Sequence, residues 1–158
     1  MKVPGFGDVT SLGIVRDAET STADAATSVK SRLKAEHLAV PNRPLEMASA
    51  SNGPDTVFLI VPNGSETGML EDLVLRVFFD DPSWPCQDAY FECLDKKGIS
   101  PDKDFQKRRV QAGLAALADR KRVARNIGEA AKKGVLPLDH PAFSEIRDLL
   151  GLVTRVEP

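Results

Sequence analysis

The sequence is poor in thiols and in rings. Cys86 and Cys93 are its two cysteines. They stand seven residues apart, with no second Cys pair and no histidine close by. Metal-finger spacing is therefore absent, and a disulfide framework is not expected. Such cysteine usage fits a reducing compartment. One tryptophan, one tyrosine and seven phenylalanines leave most of a core to aliphatic side chains. Long apolar runs are missing too. No run exceeds the five residues of Val57 to Val61, far too few to cross a bilayer, so no membrane partner is expected. The opening MKVPGFGDVT lacks the apolar stretch of a signal peptide. A cytoplasmic protein is the expectation. The formal net charge of −2 singles out neither a polyanion nor a membrane surface.

What is present suits one folded domain. The chain has 158 residues, and 42% of them are hydrophobic. Val9 to Val15 reads as a strand interrupted by Gly13. Ile14 and Val15 are adjacent and apolar, as in a strand covered on both faces. Thr20, Ser21 and Thr22 can cap a helix. Its inward residues are Ala25, Val29 and Leu33, and it ends near His37 or Leu38. PNRPLEMASASNGPD is punctuated as a loop, with room for a short strand at Leu45 to Ala48. TVFLIVP, from Thr56, is the strongest strand signal and predicts a central, buried strand. After NGSETG, the residues Leu70, Leu73, Val74, Val77 and Phe78 form a full helical stripe. Glu71 and Asp72 lie in its first turn, where acids suit the helix dipole.

The second half is helical by pattern. Pro85 opens one helix, with Cys86, Ala89, Tyr90, Cys93 and Leu94 expected inside and Gly98 as its stop. Ser100 and Pro101 open the next, with Phe105, Val110, Leu114 and Leu117 inward. Asn126 to Lys133 is a short helix. Pro141 begins the last, with Phe143, Ile146, Leu149 and Leu150 inward. His140 has a capping or packing role, and Trp84 anchors the loop DDPSWP. The order strand, helix, strand, helix, then helices predicts an α/β fold. A parallel sheet is flanked by helices, and residues 84–158 form an α-rich C-terminal part.

LGIVRDAET, at Leu12 to Thr20, places two acids at a strand end. In an open parallel sheet, ligands gather at the carboxyl ends of strands. Residues i and i+2 of extended chain point to one side, so Asp17 and Glu19 can face one point. Glu71 and Asp72 follow the second strand after a short loop. If the strands are neighbours, these carboxylates can share a cation, and such hard oxygen ligands suit Mg²⁺ or Mn²⁺. A metal held this way can activate water and neutralise charge on a phosphodiester. The same acids also suit a solvated turn and a helix N-terminus.

LGIVRDAET, VFLIVPNGSETGMLEDLVL and KKGVLPLDHPAF together resemble an uncharacterised family of Toprim-related proteins. The resemblance covers nearly the whole chain through short motifs. It is akin to the Toprim domains of topoisomerases, primases and OLD-family nucleases. It implies one Toprim-like sandwich over residues 1–158, with a mostly parallel sheet. It also implies Mg-dependent phosphodiester or nucleotidyl-transfer chemistry on DNA or RNA. Asp17 and Glu19 match the family's Asp-x-Asp pair, with Glu in the second place. Gly68, Leu70 and Glu71 match a Gly-x-Leu-Glu stretch. The resemblance casts Asp17, Glu19 and Glu71 as catalytic, and these with Asp72 as metal ligands. The family's upstream strand with its glutamate has no counterpart before Asp17, so the first strand is expected to be missing.

Residues 103–133 carry ten basic and three acidic side chains, a local +7 against −9 elsewhere. Lys107, Arg108, Arg120, Lys121 and Arg125 are the candidates for nucleic-acid phosphates. No aromatic residue follows Phe105 in this window, so a base-stacking platform is not expected there. Two rival readings stand beside the enzyme. One is a catalytically inactive Toprim-like binding module. The other is a homodimer whose partner covers an exposed sheet edge.

Overall fold

The computed structural model describes residues 6–62, 64–99, 104–117 and 124–154. The fold is mixed α/β, and the chain divides into two compact units. One combines residues 1–69 with 144–158, and the other is residues 70–143.

The first unit holds β1 (Ser11–Asp17), α1 (Thr22–Ala35), β2 (Asp55–Val61) and α6 (Ser144–Val153). β1 and β2 pair in parallel, from Ser11 opposite Asp55 to Asp17 opposite Val61. β1 thus lies two residues later than the apolar run suggests, and Asp17 is its last residue. Val57 to Val61 are at most 1% exposed, as a strand covered on both faces requires. On one face, Ala25, Val29 and Leu33 of α1 pack with Phe58 and Ile60. α6 also packs on both strands. Gly13 permits its approach, because a Cβ there would lie 2.9 Å from the Val153 Cγ1 methyl and 3.3 Å from Leu149 Cδ2. Leu149 is buried while Leu150, expected inside, is 52% exposed. The face of α6 toward β1 is set by the Leu149–Val153 pair, one helical turn apart.

Ser21 caps α1, its side chain accepting from the Asp24 N–H at 3.1 Å. The helix stops at Ala35, and His37 lies beyond it at φ 57. The strand expected at Leu45 to Ala48 is reduced to one antiparallel bridge between Ala48 and Thr56. Leu45 has φ 58, a left-handed conformation that breaks extended chain.

The second unit is all helix: α2 (Leu70–Phe78), α3 (Trp84–Lys96), α4 (Phe105–Leu117) and α5 (Ile127–Lys132), then a short 3₁₀ turn over Pro141–Phe143. α2 follows its stripe, burying Leu73, Val74, Val77 and Phe78. It packs on α4 at Gly113, where any Cβ would collide with the Phe78 ring. α3 corrects the expected stripe. Cys86 and Cys93 are exposed, as is Tyr90, and the buried residues are Gln87 and Phe91. Phe91 meets Phe105 of α4 edge-on, centroids 5.4 Å apart. The Phe91 ring is wholly apolar, whereas the rival stripe would bury the Tyr90 hydroxyl, which needs a hydrogen-bond partner, so Phe91 sets the helix rotation. The Ser100–Pro101 start expected for α4 lies outside the described residues. His140 caps the 3₁₀ turn, its Nδ1 accepting from the Ala142 N–H at 3.1 Å.

Candidate functional site

Asp17 ends β1 at the carboxyl edge of the parallel pair. The chain continues from it through Ala18, which is buried and donates its N–H to Val61 O at 2.9 Å. Glu19 is then fixed by two backbone bonds with Gly68, at 2.7 and 2.9 Å. Its φ is 52, so the chain is no longer extended there. The extended i, i+2 geometry expected for Asp17 and Glu19 therefore does not hold. The turn positions Glu19 through the Gly68 bridge instead. Gly68 has φ 133 and Gly64 φ 74, conformations that side chains rarely tolerate, so both glycines serve this loop.

The same loop is pinned to the start of α1. Thr22 N–H donates to Glu66 O at 2.8 Å, and its hydroxyl donates to Ser65 O at 2.5 Å. Glu66 thereby joins Asp17 and Glu19 at this end of the unit. The sequence pattern missed it, because an acid in NGSETG looks like ordinary loop solvation. On β1, Arg16 turns toward α1 and donates to Ser28 Oγ at 2.6 Å.

Glu71 and Asp72 occupy the first turn of α2, in the helical unit. Their surroundings there differ. Asp72 accepts from Gln106 Nε2 at 2.9 Å and lines a cavity of about 490 Å³. Glu71 lines another of about 260 Å³ together with Lys107 and Arg125. The structure thus brings one expected metal ligand beside two expected phosphate-binding residues. No group of three or more His, Cys, Asp or Glu is placed to hold a metal among the described residues.

The basic window is less free than its count suggests. Lys107 pairs with Asp104 at 3.1 Å and Lys133 with Glu129 at 2.6 Å. The Glu129 carboxyl is held below its usual range, chiefly by the hydrogen bond from Lys133 and then by the Arg125 backbone N–H. Arg109 turns inward: its guanidinium pairs with Asp88 and lies 4.7 Å from the Trp84 ring centre. Phe91 and Phe105 flank it at 5.7 and 5.8 Å. Its place four residues after Phe105, on the inward stripe of α4, was the available signal. Arg108 and Arg125 are exposed, while Arg120 and Lys121 lie outside the described residues.

No helix among the described residues is long and apolar enough to cross a membrane. No curated protein and no solved structure matches the chain. A family model of proteins of unknown function, DUF3226, matches residues 2–154, and the chain belongs to that family.

Proposed function

We propose that this is a Toprim-like protein handling nucleic-acid phosphodiesters with Mg²⁺ or Mn²⁺. The supporting observation is Asp17 at the carboxyl edge of two parallel strands, beside a Glu19 fixed by its bridge to Gly68. Ligands favour that edge in sheets of this kind. Magnesium keeps several waters and needs only one or two protein carboxylates when a substrate phosphate supplies the rest. Asp17 and Glu19 are the ligands in this reading. Glu71 and Asp72 remain candidates whose contribution the substitutions test separately. Asp17 and Glu19 would hold the ion, and the chemistry it would supply there is water activation and charge neutralisation on a phosphodiester. Lys107 and Arg125, with Arg108, Arg120 and Lys121, supply phosphate contacts that weaken as salt rises.

The deciding experiment follows thermal unfolding with and without divalent cation. A millimolar addition of Mn²⁺ raises the melting temperature of the native chain but not of Asp17→Asn. Equal shifts in both proteins sink the metal assignment. Glu71→Gln and Asp72→Asn, run alongside, report whether α2 contributes.

A second reading is a non-catalytic module that pairs with another copy. It is favoured by β1, which pairs with β2 alone among the described residues and so leaves its other edge open to a further strand. Sedimentation showing only monomer at high micromolar concentration removes it.

A further inference from the structure

We propose that the cavity of about 490 Å³ in the helical unit is a binding site for a nucleoside monophosphate. It uses none of Asp17, Glu19 or Glu71, and shares only Asp72 with the candidate ligands named above. Its volume falls within the span of small-ligand sites, roughly 300–1,000 Å³.

The wall supplies three kinds of group. The first is aromatic. Phe79 keeps 54% of its surface open, and Trp84 meets it edge-on at 4.8 Å between centroids. An exposed ring of that size in a cavity is a stacking surface for a planar heterocycle. The second is cationic. Arg76 is exposed on α2 and makes no hydrogen bond or ion pair among the described residues. Its five donors in a planar fork match a phosphate group. Arg109 does not compete for that role, because Asp88 holds its guanidinium.

The third kind is acceptor. Asp72 and Asp88 are in the wall, and Gln106 Oε1 beside them is buried without a partner among the described residues. Arg109 Nε is also buried without one among them, so the described hydrogen bonding of this wall is incomplete. Carboxylate and amide oxygens accept from hydroxyl and amino donors. A ring, an anion and several hydroxyl or amino donors on one molecule describe a nucleotide. An aromatic carboxylate lacks the donors, and a sugar phosphate lacks the ring.

The full chain carries its own reporter, because Trp84 is its sole tryptophan. AMP, GMP, CMP and UMP are each titrated while Trp84 emission and the heat of binding are followed. Adenosine and ribose 5-phosphate serve as fragments. At least one nucleotide is expected to saturate both signals. It should bind at least about tenfold more tightly than either fragment, as a charge-assisted phosphate contact plus stacking requires. Arg76→Gln should lower its affinity by about tenfold with an unchanged melting temperature, since Arg76 has no partner among the described residues to lose. Asp17→Asn should leave the titration unchanged, which separates this site from the metal reading. The proposal is overturned by four silent nucleotides, by ribose 5-phosphate binding as well as the nucleotide, or by native affinity in a folded Arg76→Gln chain.

Discussion

Arg109 shows how far one side chain can depart from its class. It belongs by count to a basic surface, yet it is ringed by Trp84, Phe91 and Phe105 and paired with Asp88. Lysine keeps the charge but loses the flat guanidinium and its stacking. Arg109→Lys should therefore destabilise the helical unit by about 1–2 kcal/mol, read from chemical denaturation with Trp84 as probe. Asp81 offers a pH-dependent counterpart. Its carboxylate accepts from the Ser83 hydroxyl at 2.5 Å and the Ser83 N–H at 2.8 Å, just ahead of α3. Those bonds lower its pKa, the side-chain bond most. A folded-state pKa below the unfolded one contributes stability above the unfolded value, and that stability is lost as pH falls through the folded one. The melting temperature of Asp81→Asn should lie below native near neutrality, and the gap should close as the pH drops below about 4.

At the scale of elements, the legible pieces were those whose own residues decide their state. Val57 to Val61 is apolar at every position and became the buried strand. The stripe from Leu70 to Phe78 became α2 with its boundaries intact. α3 was misread because two sets of residues compete for the interior, and spacing cannot weigh the Phe91 ring against a stripe of Cys86, Ala89, Tyr90, Cys93 and Leu94. Glu19 was misread because its left-handed φ depends on a bridge to Gly68, 49 positions on. Gly13 looked like a flaw in a strand, and its purpose appears only once α6 is in place. Gly13→Val should cost about 1–3 kcal/mol through overpacking. Val153→Ala should recover part of that in the double variant, a coupling that a double-mutant cycle measures.

At the scale of the molecule, the α/β class was readable from element order, but the grouping of elements was not. α6 was expected with the helices before it, and it belongs with β1 and β2. No local period carries that information, because it resides in contacts between residues about as far apart as the chain allows. The convergence of Glu71, Lys107 and Arg125 on one cavity was hidden for the same reason. Protection should follow burial. In native-state hydrogen exchange, the amides of Val57 to Val61 should be among the slowest, and those of the exposed turn at Ser51 to Gly53 among the fastest.

The seat of Val153 over Gly13 also dictates an order of events during synthesis. A growing chain presents β1, α1 and β2 to water long before α6 has been made. That sheet face must wait, uncovered, while the intervening helices emerge and can already associate with one another. Folding of the strand unit is thus governed by a contact of very high sequence separation, the kind that closes slowly and leaves sticky surface open in the interval. Ribosome-stalled chains ending before Ser144 should consequently engage chaperones more strongly than chains released after Val153.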